Sequence, residues 1–269
     1  MRMVWCLALV LLVNPAIANT SADSILSKVR DREDGRDYIC DVKLKTYFKG
    51  GNTRIRESYM LQKDLEGKEI STIFFYAPAD VRNVAFQTIS YKENMDKNDD
   101  QRIYFPAFRK IRRISTEDKR GSFMGSMFSY IDLDKVRVSD YKSRLISEEI
   151  FDKRPVWIIE RIPESQDVIN KTGYYKSKVW VDRERMIILR QQYFDAKGVI
   201  FKEQVSTDVK KVQDIWTVMT SEMLNHDNGT RSEMIFSNMK YNVGIGNKYF
   251  TRRALKTGYS KSDISQLRQ

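Results

Sequence analysis

The chain has 269 residues, 41% of them hydrophobic, which is enough to build a core in one large domain or two small ones. Its formal charge is +11, with one histidine and two cysteines. Those counts exclude a His/Cys zinc cluster and a multi-disulfide framework, and the basic balance asks for an anionic partner.

Met1 to Ala18 has the three parts of a secretory signal peptide. Arg2 supplies a positive start, Val4 to Val13 is an uncharged apolar run, and Pro15 precedes the small residues Ala16 and Ala18 of a cleavage site. The run is shorter than the roughly 20 residues that span a bilayer. Cys6 lies at the front of the run rather than after the cleavage point, so lipidation is not expected there. The expected division is a signal peptide at 1–18 and a single mature domain at 19–269, exported to the periplasm. Export takes nucleic acid off the partner list and leaves anionic lipid surfaces on it; the plainer reading is that the charge keeps the protein in solution. Cys40 is then the one remaining cysteine, in a strand-like run where a small buried residue is expected.

A short helix opens the mature chain. Ser21 or Thr20 can cap it, Ile25, Leu26 and Val29 share a face, and Gly35 is its expected stop. The period then changes to two. Cys40, Val42, Leu44, Thr46 and Phe48 alternate with Asp41, Lys43, Lys45 and Lys49, the pattern of a half-buried strand. Strands follow at 54–65, with Ile55, Tyr59 and Leu61 on one side, and at 70–76, 84–91 and 101–105. Later candidates cover 143–151, 156–162, 176–182, 186–194, 199–209, 215–226 and 231–243. Asp195 to Gly198 and Asp227-Asn228-Gly229 read as hairpin turns, the second as a type I′ turn. About eleven successive antiparallel strands with few helices predict a mainly β (α+β) protein built on one strongly curved sheet. Only the first helix, a turn near 79–82 and the stretch 247–255 are available to cover it.

Chemistry-bearing patterns are scarce. His226 stands next to a predicted turn with no nucleophile elbow nearby. Gly244-Ile245-Gly246 lacks the third glycine and the helix of a dinucleotide site. Glu148 and Glu149 are neighbours in a strand and point to opposite faces, so they cannot act as an acid/base pair. No catalytic residue, metal set or cofactor is expected, and the chain does not read as an enzyme. Phenylalanine and methionine gather in the first half instead, as adaptable apolar surface or as ordinary core.

The run Phe105-Pro106-Ala107-Phe108-Arg109-Lys110-Ile111-Arg112-Arg113-Ile114-Ser115 leads to Gly121-Ser122-Phe123-Met124-Gly125-Ser126-Met127-Phe128-Ser129-Tyr130. Together with Phe236 to Val243 and Tyr249 to Leu255, these blocks closely resemble a bacterial family of outer-membrane lipoprotein-sorting-like proteins that share the LolA/LolB fold. Met127 and Ile131 depart from the pattern, where the family carries acidic residues, and make the segment more apolar. The resemblance implies an unclosed half β-barrel of about eleven antiparallel strands, with helices covering an apolar cavity. It also implies a carrier of lipid or lipoprotein acyl chains in the periplasm, serving an RND-type lipid transporter and touching membranes transiently. Phe105, Phe108, Phe123, Met124 and Phe128 would contact the apolar ligand. Arg109, Lys110, Arg112 and Arg113 would face headgroups or a partner, or else form a solvated strand face that blunts a sheet edge. The same fold also serves in envelope-stress sensing, which is the alternative role.

Overall fold

A computed structural model describes residues 21–268, apart from 96 and 136. The expected signal peptide and its cleavage site lie outside the described residues. Among the described residues no helix is long and apolar enough to cross a membrane.

Helix α1 (Ala22–Arg30) starts where Ser21 accepts a hydrogen bond from the Ser24 amide. It ends at Asp31 rather than at Gly35, whose positive φ of 78° turns the chain into the first strand. The strands are β1 (Asp37–Tyr47), β2 (Thr53–Leu65), β3 (Lys68–Ala77), β4 (Ala85–Tyr91), β5 (Asp100–Phe105), β6 (Lys110–Arg113), β7 (Tyr141–Phe151) and β8 (Arg154–Pro163). Helix α2 (Gln166–Thr172) then precedes β9 (Lys176–Asp182), β10 (Ile188–Phe194), β11 (Ile200–Val212), β12 (Ile215–Asn225) and β13 (Arg231–Tyr241). Helices α3 (Arg252–Thr257) and α4 (Lys261–Gln266) end the chain.

All strands pair antiparallel in one thirteen-stranded sheet, against the eleven expected. Part of the surplus is the basic block itself, which pairs with β5 as the short edge strand β6. Ile55 is 44% exposed, because the start of β2 extends past the part of the sheet that is covered. The connection at Asn228-Gly229 is longer than a two-residue type I′ turn: the Asn225 amide bonds the Thr230 carbonyl across residues 226–229, and Gly229 takes φ 69°. The Asn225 side chain accepts from the Asp227 and Asn228 amides, an asparagine turn that competes with the tighter one.

The strand order runs β6 to β1, then β13 back to β7. Two meanders therefore grow outward from the β1–β13 seam, and β6 and β7, consecutive in sequence, form opposite edges. The chain from Arg113 to Tyr141 has to travel from one edge to the other. This segment, the strap, carries four short 3-10 turns and crosses the inner face of the sheet. Its side chains and backbone meet β2 (Arg56 to the Met124 carbonyl), β5 (Gln101 to Tyr130 O, 2.8 Å), β13 (Met127 N to Ser232 Oγ, 3.0 Å) and β11 (Lys202 to Asp132, 2.5 Å).

The outer face of the first meander is covered by residues 243–267. Ile245, Tyr249, Phe250, Leu255 and Ile264 pack on Ile39, Leu61, Phe74 and Tyr104. The buried Asp37 carboxylate fixes the start of this cover by accepting from the amides of Val243, Gly244 and Ile245 at 2.8–3.2 Å. The predicted helix at 247–255 is broken at Thr251, whose hydroxyl caps α3.

Candidate functional site

The strap is shaped by local backbone geometry. Met124 and Gly125 adopt φ of 53° and 69°, so the chain doubles back and Phe123 N bonds Phe128 O at 2.7 Å. The fold-back drives both rings toward the sheet. Phe123, 1% exposed, lies 5.1 Å from the Phe86 ring, 5.6 Å from Tyr130 and 6.1 Å from Phe75. Phe128 joins the same cluster with Val42, Ile73 and Met223.

Two buried Lys–Asp pairs pin the downstream part of the strap. Lys202 reaches Asp132, Ser129 Oγ at 3.2 Å and Tyr174 Oη at 2.9 Å, and Tyr174 donates to the other Asp132 oxygen at 2.6 Å. Lys119 bonds Asp134 at 2.6 Å and the Asp99 carbonyl at 2.8 Å, while Gln101 supplies the second Asp134 oxygen. Burial pushes the Asp134 carboxyl up to about 6 against the pull of Lys119. With the hydrogen bonds from both sides made, these polar groups fix one strap position rather than a family of them.

Behind the strap, between α1 and β8–β11, the inner face is not filled. A cavity of about 280 Å³ is lined by Tyr141, Arg161, Tyr174, Ile188, Gln191 and Tyr193 among others. A second, of about 220 Å³, lies under α1 and is lined by Leu26, Val29, Val138, Tyr141, Arg161 and Ile188 among others. The two share Val29, Arg32, Lys135, Tyr141, Arg161 and Ile188. The apolar side of α1 (Ala22, Ile25, Leu26) rests on Ile159, Val179 and Val181 of β8 and β9 and forms the roof. The strand register sets a polar row across the inner face: Ser143, Arg161, Ser177, Tyr193 and Lys202 stand side by side on β7 to β11.

The residues expected to bind an apolar ligand divide three ways. Phe123 and Phe128 are core, and Phe105 and Met124 pack against that core from the half-buried shell. Phe108 departs from the expectation that it shares a slot with them. It is 72% exposed at the tip of the β5–β6 hairpin, because Pro106 starts a 3-10 turn there and Arg109 takes the left-handed conformation. None of the five lines either cavity. Of the basic block, Arg112 pairs with Asp118 and Arg113 with Asp100, each at 2.6 Å. The exposed Arg109 and Lys110 side chains make no ion pair among the described residues. His226 lies in the β12–β13 turn, and the described residues hold no cluster of metal-ligating type.

Sequence reasoning passed over the cavity residues, and one signal was there to be read. Trp157, Ile159 and Arg161 share one face of β8, so an arginine occupies an inward position of an apolar alternation.

A family model described as that of an uncharacterized protein matches residues 67–257. No curated protein matches the chain. Among solved structures, an outer membrane lipoprotein-sorting protein domain from Vibrio parahaemolyticus is 28% identical, with a TM-score of 0.78 over 87% of this chain and 97% of that one. A DUF1329 family protein from Desulfovibrio piger is also 28% identical, with a TM-score of 0.80 over the same shares. A LolA superfamily protein from Nitrosomonas europaea, 18% identical over 87% of this chain and 99% of its own, has the same fold with a TM-score of 0.64.

Proposed function

Since this chain belongs to the outer-membrane lipoprotein-sorting proteins of LolA/LolB-like fold, we propose that it carries the acyl chains of lipids or lipoproteins through the periplasm. The observation that supports this most is the unfilled inner face. A β-protein of this size closes its core with side chains, yet here α1 and the strap roof over a cavity with Leu26, Val29, Val138 and Ile188 in its lining. Burying an acyl chain there is favourable by about 0.8 kcal/mol per methylene, which makes an insoluble molecule portable.

Loading and release need a moving cover. The strap is held by side-chain contacts and 3-10 turns rather than by long helices, and Asp132 joins it to the cavity wall through Tyr174 and Lys202. Displacing it exposes the inner face along its length. The tip of the β5–β6 hairpin is the surface that meets a membrane: an exposed Phe108 beside unpaired Arg109 and Lys110 combines apolar insertion with attraction to anionic headgroups. An inner-membrane RND-type transporter is the proposed donor or acceptor of the cargo.

The reading is tested on purified mature protein. Lipid extracted from it is identified by mass spectrometry, and stripped protein is offered a fatty acid, a phospholipid and a lipopeptide. Uptake of at least one is expected; uptake of none overturns the carrier function.

A further inference from the structure

Arg161 is unlike the other cations around the cavity. It is 2% exposed, and its Nε donates to Ser177 Oγ at 3.1 Å. Tyr141 lies beneath the guanidinium, 4.9 Å from ring centre to Cζ. Among the described residues no carboxylate pairs with it. Its neighbours all have partners: Lys135 binds Glu69 and Asp34, Lys171 binds Asp140, Arg32 donates to the Trp216 carbonyl at 2.7 Å, and Lys202 binds Asp132. Burial pushes the Arg161 pKa down, but an arginine stays charged throughout the working range. An isolated buried cation is costly, and folds hold one only where something neutralises it.

The surroundings of Arg161 specify what that something is. The guanidinium borders both cavities. Across the sheet it is flanked in register by Ser143 and Ser177. The Ser143 hydroxyl is buried with no partner, so a donor stands unused one strand away from the unpaired cation. The apolar wall of the second cavity, Leu26, Val29 and Ile188, starts at the same point. A fork of N–H donors with a free hydroxyl beside it matches a planar or tetrahedral oxyanion, and the adjoining wall matches a hydrocarbon chain.

We infer that Arg161 and Ser143 receive the oxyanion of an acidic amphiphile, a carboxylate or phosphate head, whose chain lies along Leu26, Val29 and Ile188. The inference rests on the carrier reading and adds the class of its ligand: the cavity selects acidic over neutral chains. The cation and the ligand neutralise each other, so loaded protein is more stable than empty protein beyond what chain burial alone provides.

Three probes with one tail separate the possibilities: laurate, lauryl phosphate and lauryl alcohol. Stripped mature protein is expected to bind one or both acids about tenfold or more tightly than the alcohol, the difference made by a charge-assisted pair. Preference for laurate identifies a carboxylate head, and preference for lauryl phosphate identifies a phosphate head. Arg161→Met should bind all three as wild type binds the alcohol, and should melt at or above the empty wild type, since it removes an unpaired buried charge. A lower melting temperature with the acid preference intact would assign Arg161 a structural role and overturn the inference. Arg161→Lys keeps the charge without the fork and should retain part of the preference; its loss of none or gain would count against the site. Wild type that binds acid and alcohol equally, or that binds none of the three, overturns the anion site; the carrier function falls only if phospholipid and lipopeptide are refused as well.

Discussion

The inner face of the sheet has two halves with opposite fillings. Over β1–β5 and β13 the protein fills the space with its own rings, as Phe123 and Phe128 sit among Phe75, Phe86, Ile73 and Met234. Over β7–β11 it leaves a cavity bordered by a polar row and an unpaired arginine. Both halves are inward faces of strands with the same alternation, so the period does not distinguish them. The strap does. Its first part enters the sheet with aromatic side chains and its second part with aspartates, which need Lys202, Lys119 and Tyr174 in reply. The lesson is that cover and site are one structure: the segment that plugs the dry half also holds the wall of the open half.

The comparison can be broken from either side. The largest effects are expected at the strap's two anchors. Phe123→Ala should lose about 3–5 kcal/mol of stability through the cavity it leaves. Lys202→Met should lose a similar amount, about 3–5 kcal/mol, because Asp132 stays buried without its cation. Denaturant titration of each variant measures both; a change below 1 kcal/mol at either, roughly the level of an exposed site, would separate the strap from the core on that side. Detachment at either anchor should also raise access of a hydrophobic dye to the inner face.

The outer face of the β7–β11 half has its own acid limit. Asp182, at the end of β9, is buried, which by itself would raise its pKa. The hydrogen bonds from Arg154, Arg185 and two backbone amides outweigh burial and bring it down to about 2 from an ordinary 3.8. A depressed carboxyl contributes stability that is complete above the unfolded value and is lost as pH falls through the folded one. The stability gap between wild type and Asp182→Asn should therefore be constant above about pH 5 and close between about pH 4 and pH 2. A gap independent of pH would remove Asp182 from the linkage.

Smaller effects sharpen the picture at the strap's bend and at the hairpin tip. Gly125→Ala should cost about 1 kcal/mol, since an alanine at φ 69° is strained. The new Cβ would press on the movable end of Arg54 and touch Arg56 Nη1 at an ordinary 3.6 Å, so the cost should not be much greater. Phe108→Ala should change stability by less than about 0.5 kcal/mol, because the ring is in solvent. The same substitution should weaken sedimentation with phosphatidylglycerol vesicles; unchanged vesicle binding would take the tip off the membrane-contact surface.

Much of the fold is legible in the residues. The alternation from Cys40 onward, the turn at Asp195 to Gly198 and the Ser21 cap each have a local physical cause, and the strands stand where those causes put them. The polar–apolar period also places Cys40 inside. The edge strand β6 has no such signal, since Ile111 is the one apolar residue among Lys110, Arg112 and Arg113 and no alternation marks the pairing. Helices α2 and α4 are too short for a period to rise above the background, and their caps at Ser165 and Ser260 carry the signal instead.

The site is a different matter. Sequence determined that Phe123 and Phe128 are apolar and that Arg161 is charged; it did not determine which of them would face empty space. That depends on the order of strands in the sheet, which sends the strap across the inner face, and on register, which lines Ser143, Arg161 and Ser177 up across three strands. A shift of one residue in that pairing would turn Arg161 to the outer face and close the question. Side-chain chemistry is a property of the chain, but an unpaired charge is a property of its neighbours, and neighbours across a sheet are chosen only when the whole sheet forms.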